Sequence, residues 1–586
     1  MKQLILIPAA LLIFFTLSCT NSNNSSASGL SDMNKYPLYE EVVNRFFDNY
    51  NTDNVIEFSK KPDGWHVGIV DYNDNYKISD DTLFWSLAGE NYLPLADPYK
   101  QGRTADDSKR QGFLYNTYLV NQFNESPYYG YNGWDKDVID LLEGSDSLTD
   151  NLLYYLGRAY SNYAQGFIRN QYGYQTQEYD SRYEKVSREQ LDGYIENANK
   201  AIASFKKLSE QNPGFQTIIG DIYIKYSNEY LCTFLNLMSI KEPEKARSFI
   251  ADGLYSDFWL SVAKNYLSSC DKNAILFTNG DNDTYPLLYV QEKFGFRKDV
   301  RIVNLALLNT DFYINMIREK YLDSEPVNIS FSPDQYIKGV RDYLPVEMNS
   351  KDNTMLLADV INFVKDDANA KTYGGNDMLF PVPGRNFIME VDPDYFKDKD
   401  YIAKNLEGKV SDLEIDLSNR PYMMKNELMI LDIINSNCWE RPIYWATTVG
   451  SDSYLNLSGY FQLEGFAFRL TPFKYTDNSG QAGYVNTDIL YKNMMDNFIW
   501  GTYDKLPEAD CRMTYNLKSN YGRLVEQLIE ENKTEQAKKA LDHITGLFPD
   551  QVAPRGVFDI SLAGSYYKLE ENAKTRDIIK NIFKHT

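Results

Sequence analysis

Between about Asp150 and Leu254 apolar side chains recur at three- and four-residue steps, with Leu152, Leu156, Ala159, Tyr163 and Phe167 on one face, a spacing that predicts amphipathic helices. Ser187-x-x-Gln190 is a capping box and predicts the start of a second helix. That helix carries Ala201, Phe205 and Leu208 ahead of Pro213, and the C-terminal segment repeats the spacing as Ala537, Leu541 and Ile544 ahead of Pro549. Small and large residues in this order, closed by proline, are the pattern of the second helix of a tetratricopeptide unit. Leu524 and Leu528 supply a matching first helix, and Glu242 to Ile250 reads as a third, degenerate copy. Such helices usually present a groove to a partner.

The pattern differs on either side of the first helical stretch. From Asn54 to Leu95 it alternates, and Pro62-Asp63-Gly64 between two β-rich runs predicts a hairpin in a small β-containing module. From Asp271 to about Gly501 continuous apolar runs alternate with helical ones. Ala274 to Asn279 is a buried-strand run, followed by a helix capped by Asp283 or Thr284 with Pro286 in its first turn. Val300 to Leu308 is the next strand and Asp311 to Lys320 the next helix; Lys425 to Ile434, the strand from Pro442 and the run from Glu464 follow. The fold class expected is an α/β central domain, Rossmann-like with a partly parallel sheet, flanked by α-helical TPR-like repeats and preceded by the β-containing module.

Leu4 to Leu17 is an apolar run behind Lys2, too short for a spanning helix and followed by Ser18 and Cys19. This is the layout of a bacterial lipoprotein signal, with Cys19 the lipidated residue. Acyl chains there would anchor the chain to a membrane, the outer membrane more than the inner, and Thr20 to Gly29 would be a flexible tether. The domains expected are therefore 1–18 signal peptide, 19–35 tether, 36–100 β-containing module, 101–255 helical repeats, 256–505 α/β domain and 506–586 C-terminal helices. At 586 residues the chain exceeds one hydrophobic core, in keeping with three or four domains.

The formal charge of −22 opposes nucleic acid phosphates, so no nucleic acid partner is expected. Cys232, Cys270, Cys438 and Cys511 form no CxxC pair, and the three histidines, His66, His543 and His585, are too few for a multi-histidine metal site or a triad. Tyrosine stands out at 47 residues, a side chain suited to glycan stacking, to protein interfaces and to half-buried sites alike.

One segment could carry chemistry. Asn279, Gly280, Asp281, Asn282 and Asp283 lie where a strand gives way to a helix, and the next such loop brings Asn309 and Asp311. In open α/β sheets ligands favour the crevice beyond the carboxyl ends of the strands. Three carboxylates and three amides there would suit sugar hydroxyls or a hard cation such as calcium, and would repel phosphate. Equally, Asp283 and Asp311 can be helix N-caps, with Gly280 taking a positive φ. No catalytic residue is assigned on this reading.

The stretch AILFTNGDNDTYPLLYVQEKFGFRKDVRIVNLALLNTDFYI, followed by RDYLPV, KNELMILDIINSNCWERPIYWATT, YFQLEGFAFRLTPF and GYVNTDILY, resembles the soluble C-terminal periplasmic region of a Gram-negative family of polytopic membrane proteins. Those proteins in turn resemble protein O-mannosyltransferases. The resemblance runs from about Leu254 to Leu547 and implies the fold and an association with envelope glycan or glycoprotein traffic. The spanning half, where that family's transferase chemistry is expected, has no counterpart in this sequence, so no catalytic role carries over. The expectation is a lipid-anchored, non-catalytic binding or scaffold protein that meets an envelope protein through its helical repeats and a glycan in its α/β crevice. The alternatives are a saccharide-acting enzyme or accessory subunit using the acidic loops, and a glycan-capture lipoprotein of the starch-utilisation type.

Overall fold

The computed structural model describes residues 30–71, 77–101, 107–145, 147–169, 186–337, 339–347, 354–373, 377–397, 399–402, 406, 409–417, 420–437, 439–475 and 480–585. The signal run, Cys19 and residues 20–29 lie outside these residues, as does Cys438; the last part of the expected tether, Leu30–Lys35, is a 3-10 helix. Among the described residues no helix is long and apolar enough to cross a membrane, and Cys232, Cys270 and Cys511 are free thiols. The chain divides into two compact units, residues 1–229 and residues 230–586.

The first unit opens with helix α1 (Tyr39–Asn49), then the antiparallel strands β1 (Ile56–Lys61), β2 (Gly64–Asp71), β3 (Lys77–Ser86) and β4 (Asn91–Tyr92) in that order across the sheet. The predicted hairpin is present, with Lys61 paired to Gly64. Gly64 has φ 149°, and a Cβ there would lie 1.9 Å from the Trp85 carbonyl oxygen, so only glycine fits where the turn meets β3. Helices α2 (Asp107–Tyr115), α3 (Thr117–Glu125), α4 (Trp134–Leu142), α5 (Asp150–Arg169) and α6 (Arg188–Gln211) complete this unit. The Ser187 hydroxyl accepts from the Gln190 amide at 3.1 Å and the Gln190 side chain accepts from the Ser187 amide at 3.0 Å, so the capping box forms as read. The β-containing module and the helices do not have separate cores. Tyr39, Phe46, Phe58, Trp65, Phe123, Tyr155 and Phe205 belong to one buried cluster, in which Tyr39 stacks on Phe123 at 4.5 Å. The short sheet has too little apolar surface to stand alone and completes its core on the helices.

In the second unit the parallel strands β5 (Ile275–Thr278), β6 (Arg301–Asn304) and β7 (Ile443–Ala446) form one half of a six-stranded sheet. Strands β8 (Phe461–Leu463), β9 (Ala467–Leu470) and β10 (Tyr484–Val485) form the other, and the order is β6-β5-β7-β9-β8-β10. The sheet is mixed: β7 and β9 are antiparallel, with Tyr444 opposite Arg469, as are β8 and β9. All four residues of β5, β6, β7 and β9 are buried, which is why these strands read as continuous apolar runs. The chain leaves β5 through helix α7 (Asp281–Phe294) to reach β6 on one side, then returns through helices α8 (Asp311–Ile317) and α9 (Lys425–Asn437) to place β7 on the other side of β5. This reversal is a topological switch point at the carboxyl end of β5.

Helices α10 (Glu508–Glu530), α11 (Thr534–Leu547), α12 (Ile560–Lys568) and α13 (Asn572–His585) close the chain. Ala537, Leu541, Ile544, Leu524 and Leu528 are fully buried, as are Ala201, Phe205 and Leu208 in the first unit, so the apolar faces predicted for these helices are the packed ones. The expected third copy does not form a repeat: within it only Pro243–Arg247 is helical, started by the proline at its first position and over within about one turn. Tyrosine also has a plainer use than the sequence left open. Tyr155, Tyr194, Tyr289, Tyr336, Tyr444, Tyr460 and Tyr521 are fully buried, and Tyr289 and Tyr521 donate to the Ala251 and Met494 carbonyls at 2.8 and 2.9 Å.

Candidate functional site

The loop after β5 is held from beneath by a buried polar knot. The Thr278 and Thr284 hydroxyls are 2.8 Å apart, the Asn304 amide donates to the Thr284 hydroxyl at 2.8 Å and to the Gly280 carbonyl at 3.2 Å, and Thr284 donates to the same carbonyl at 2.8 Å. Gly280 is the N-cap of the following helix, with φ 80° and no side-chain cap. The cap expected of Asp283 or Thr284 is therefore not made, because the helix begins at Asp281 and Asp283 is already in its first turn. Pro286 lies inside that helix, beyond the first turn, so the Asn282 carbonyl receives no helical N–H from it.

Asp281 is exposed, and Asn282 and Asp283 are half-buried. Burial raises the Asp283 carboxyl to about 6, partly offset by the Thr448 hydroxyl beside it and the Asn279 backbone. Thr447 and Thr448 follow β7 across the switch point. The Thr447 hydroxyl donates to Asn516 at 3.0 Å, accepts from Asn520 at 3.1 Å and lies 3.4 Å from the Tyr266 hydroxyl. The strand ends therefore carry a polar patch of one raised carboxyl among hydroxyls and amides.

Asn309 and Asp311 do not join it. The Asn309 side chain accepts from the Asn426 amide at 3.0 Å, and the Asp311 carboxylate receives the Lys425 ammonium at 2.8 Å where both are buried. Asp342 and the Tyr336 carbonyl also hold Lys425. These two residues thus fasten the start of helix Lys425–Asn437, and Asp311 is not an N-cap either, since Thr310 holds that position. Among the described residues no group of three His, Cys, Asp or Glu side chains is placed to hold a metal ion, and the calcium expectation loses Asp311 as a ligand.

A roomier site lies in the first unit. A cavity of about 680 Å³ opens between helices α4, α5 and α6. Tyr160, Tyr163 and Phe167 form its aromatic wall, with Tyr163 and Phe167 edge to face at 5.4 Å. Gly193 lets the two long helices approach: a Cβ there would lie 2.5 Å from the Phe167 ring. The rim is acidic, with Asp140, Glu143, Glu189, Asp192 and Glu196 against Lys136, Arg188 and Lys200. Lys200 bridges Glu143 at 3.0 Å and Glu196 at 3.1 Å, and hydrogen bonds from Tyr160 and Lys200 hold the Glu143 carboxyl below its usual range. Sequence reasoning placed Tyr163 and Phe167 on a packed face; they are half-buried walls of this groove. An aromatic pair one turn apart, facing carboxylates one helix on, was the signal available.

Residues 260–489 match the family model described as TMEM260-associated domain 2. The matched stretch contains the whole six-stranded sheet and, of the strand-end patch, Tyr266, Asp283, Thr447 and Thr448 but not Asn516 and Asn520; it covers less than half of the chain. No curated protein and no solved structure matches the chain.

Proposed function

We propose that this chain is a binding or scaffold protein of the cell envelope, lipid-anchored through Cys19, whose ligand seat is the groove between α4, α5 and α6. The observation that carries the reading is the groove itself. Its 680 Å³ falls within the roughly 300–1,000 Å³ of ligand sites, and it combines an aromatic wall with an acidic rim. That surface suits hydroxyl-rich saccharide or a peptide bearing basic side chains, and it disfavours phosphate. The link to envelope glycan or glycoprotein processes rests on the resemblance drawn from the sequence, over a stretch that overlaps the match to TMEM260-associated domain 2. In-cell cross-linking tests the reading: a photoreactive residue at position 163 should capture a specific partner that the same residue at Tyr115, which is 88% exposed, does not. Equal capture at both positions, or none at 163, would count against it.

A second reading, a saccharide-acting site, has one observation in its favour: Asp283 titrates near 6 beside Thr448, in reach of acid–base work. The other carboxylate of that turn, Asp281, is exposed, and paired-carboxylate hydrolysis needs its second carboxylate at about 5–9.5 Å.

A further inference from the structure

The opposite edge of the central sheet, at the amino ends of the parallel strands, carries three buried arginines of unequal circumstance. Arg469 has counter-charges: it pairs with Asp271 and lies 3.6 Å from Glu464. Arg441, only 8% exposed, donates through Nε to the Asn273 carbonyl at 2.9 Å and through Nη1 to the Glu325 and Pro326 carbonyls at 3.1 and 3.0 Å. Its Nη2 is enclosed and has no partner among the described residues. Arg301, 3% exposed, donates through Nη2 to the Met316 carbonyl at 2.8 Å, and its Nη1 is likewise enclosed without a partner among the described residues. Both guanidinium groups thus lean on neutral carbonyls. Burial first, and Arg301 second, lower the Arg441 pKa to about 10, against a smaller upward pull from the exposed Glu325 carboxylate.

Beside Arg441 is a cavity of about 20 Å³, bounded also by Arg469, Trp439, Tyr401, Ile434 and Met389. The Trp439 indole N–H, too, is enclosed without a partner among the described residues. Arg441 and Trp439, each carrying an enclosed donor without a partner among the described residues, are thus both walls of this positively charged space. A cavity needs roughly 10–15 Å³ to admit one water-sized body, so this one has room for a single small occupant and none for sulfate, phosphate or a carboxylate. A water could accept both hydrogen bonds but would leave only the exposed Glu325 carboxylate against the buried charge, and a buried charge without a close partner is strongly destabilising.

We propose that this cavity is a binding site for one chloride-sized anion, held by Arg441 Nη2 and the Trp439 indole N–H. The ion would tie the strand at Ile443 to the apolar cluster of Val391, Phe396, Ile402, Leu406 and Phe473, against which Tyr401 and Trp439 pack.

Crystals of the full chain grown in sodium bromide should show an anomalous peak within hydrogen-bond reach of Arg441 Nη2. The unfolding midpoint should also rise with sodium chloride beyond its rise with sodium gluconate at equal ionic strength, as linkage to a bound ion requires. Arg441→Gln should abolish this halide increment. Trp439→Phe, which removes only the N–H and keeps the ring, should reduce it and serves if Arg441→Gln does not fold. Water alone in the bromide crystals, or coincident chloride and gluconate midpoints in the unmodified protein, would overturn the proposal.

Discussion

The Lys425 ammonium sits 2.8 Å from the Asp311 carboxylate, 114 positions away in sequence, where both side chains are buried. The pair locks the helix that leads into β7 against the helix that follows β6. It therefore fixes the return of the chain across the sheet, and with it the switch point. Lys425→Met would leave Asp311 buried without its cation. Breaking a buried pair in this way costs ~3–5 kcal/mol, so Lys425→Met should lower the unfolding free energy by about that much in denaturant titration, while calcium should leave both proteins unchanged.

Asp283 is expected to behave as a strained carboxyl. Its folded pKa, about 6, lies above the ordinary value near 3.9, so the fold favours the protonated form. The relative stability this gives is full below about pH 4 and is lost as pH rises through 6. Asp283→Asn should remove that slope and be neutral or stabilising at pH 7 to 8, whereas loss of an N-cap would cost about 0.5–2 kcal/mol at every pH. Denaturant midpoints between pH 4 and 8 distinguish these outcomes.

His66 has the converse partners. Burial opposes its charge, but Asp63 at 2.9 Å and Asp81 at 3.3 Å outweigh burial and raise its pKa. Stability from the imidazolium is then fully present below about pH 6.5, the ordinary value, and is lost as pH rises through the higher folded pKa. His66→Gln should flatten the stability profile above pH 6.5. An unchanged profile would show that the two carboxylates do not hold the charged ring.

Lys60 is a buried lysine whose ammonium donates to the Phe123 and Ser126 carbonyls at 3.1 and 3.0 Å. Burial lowers its pKa to about 8. The fold favours the neutral amine, so stability should climb as pH rises from 8 toward the ordinary value near 10.4. Lys60→Met should abolish that climb, as followed by denaturant midpoints from pH 7 to 10.

Much of the second unit was legible because its strands are buried on both faces: AILFT, RIVN, IYWA and AFRL are runs that only a covered sheet explains. The hairpin at Pro62-Asp63-Gly64 and the capping box at Ser187 were legible because each is settled within a few residues. The candidate site was less so. The acidic loops look alike in sequence, yet Asp311 is claimed by Lys425, a contact that no local pattern announces. Gly280 displaced Asp283 from the cap because its positive φ lets the helix start three residues early. The groove stayed hidden for another reason: a helix wall at Tyr163 and Phe167 has the same three- and four-residue spacing whether it faces a core or a cavity, and only the placement of the neighbouring helix decides which.

Calorimetric titration of the full chain with envelope-derived oligosaccharides and with a basic peptide tests the groove most directly, using the unmodified protein, Tyr163→Ala and Asp283→Asn. The account predicts saturable heat with one of these two ligand classes, weakened at least tenfold, about 1.4 kcal/mol, by Tyr163→Ala and unaltered by Asp283→Asn. Binding that survives Tyr163→Ala but is lost in Asp283→Asn would place the ligand at the strand ends and contradict the account.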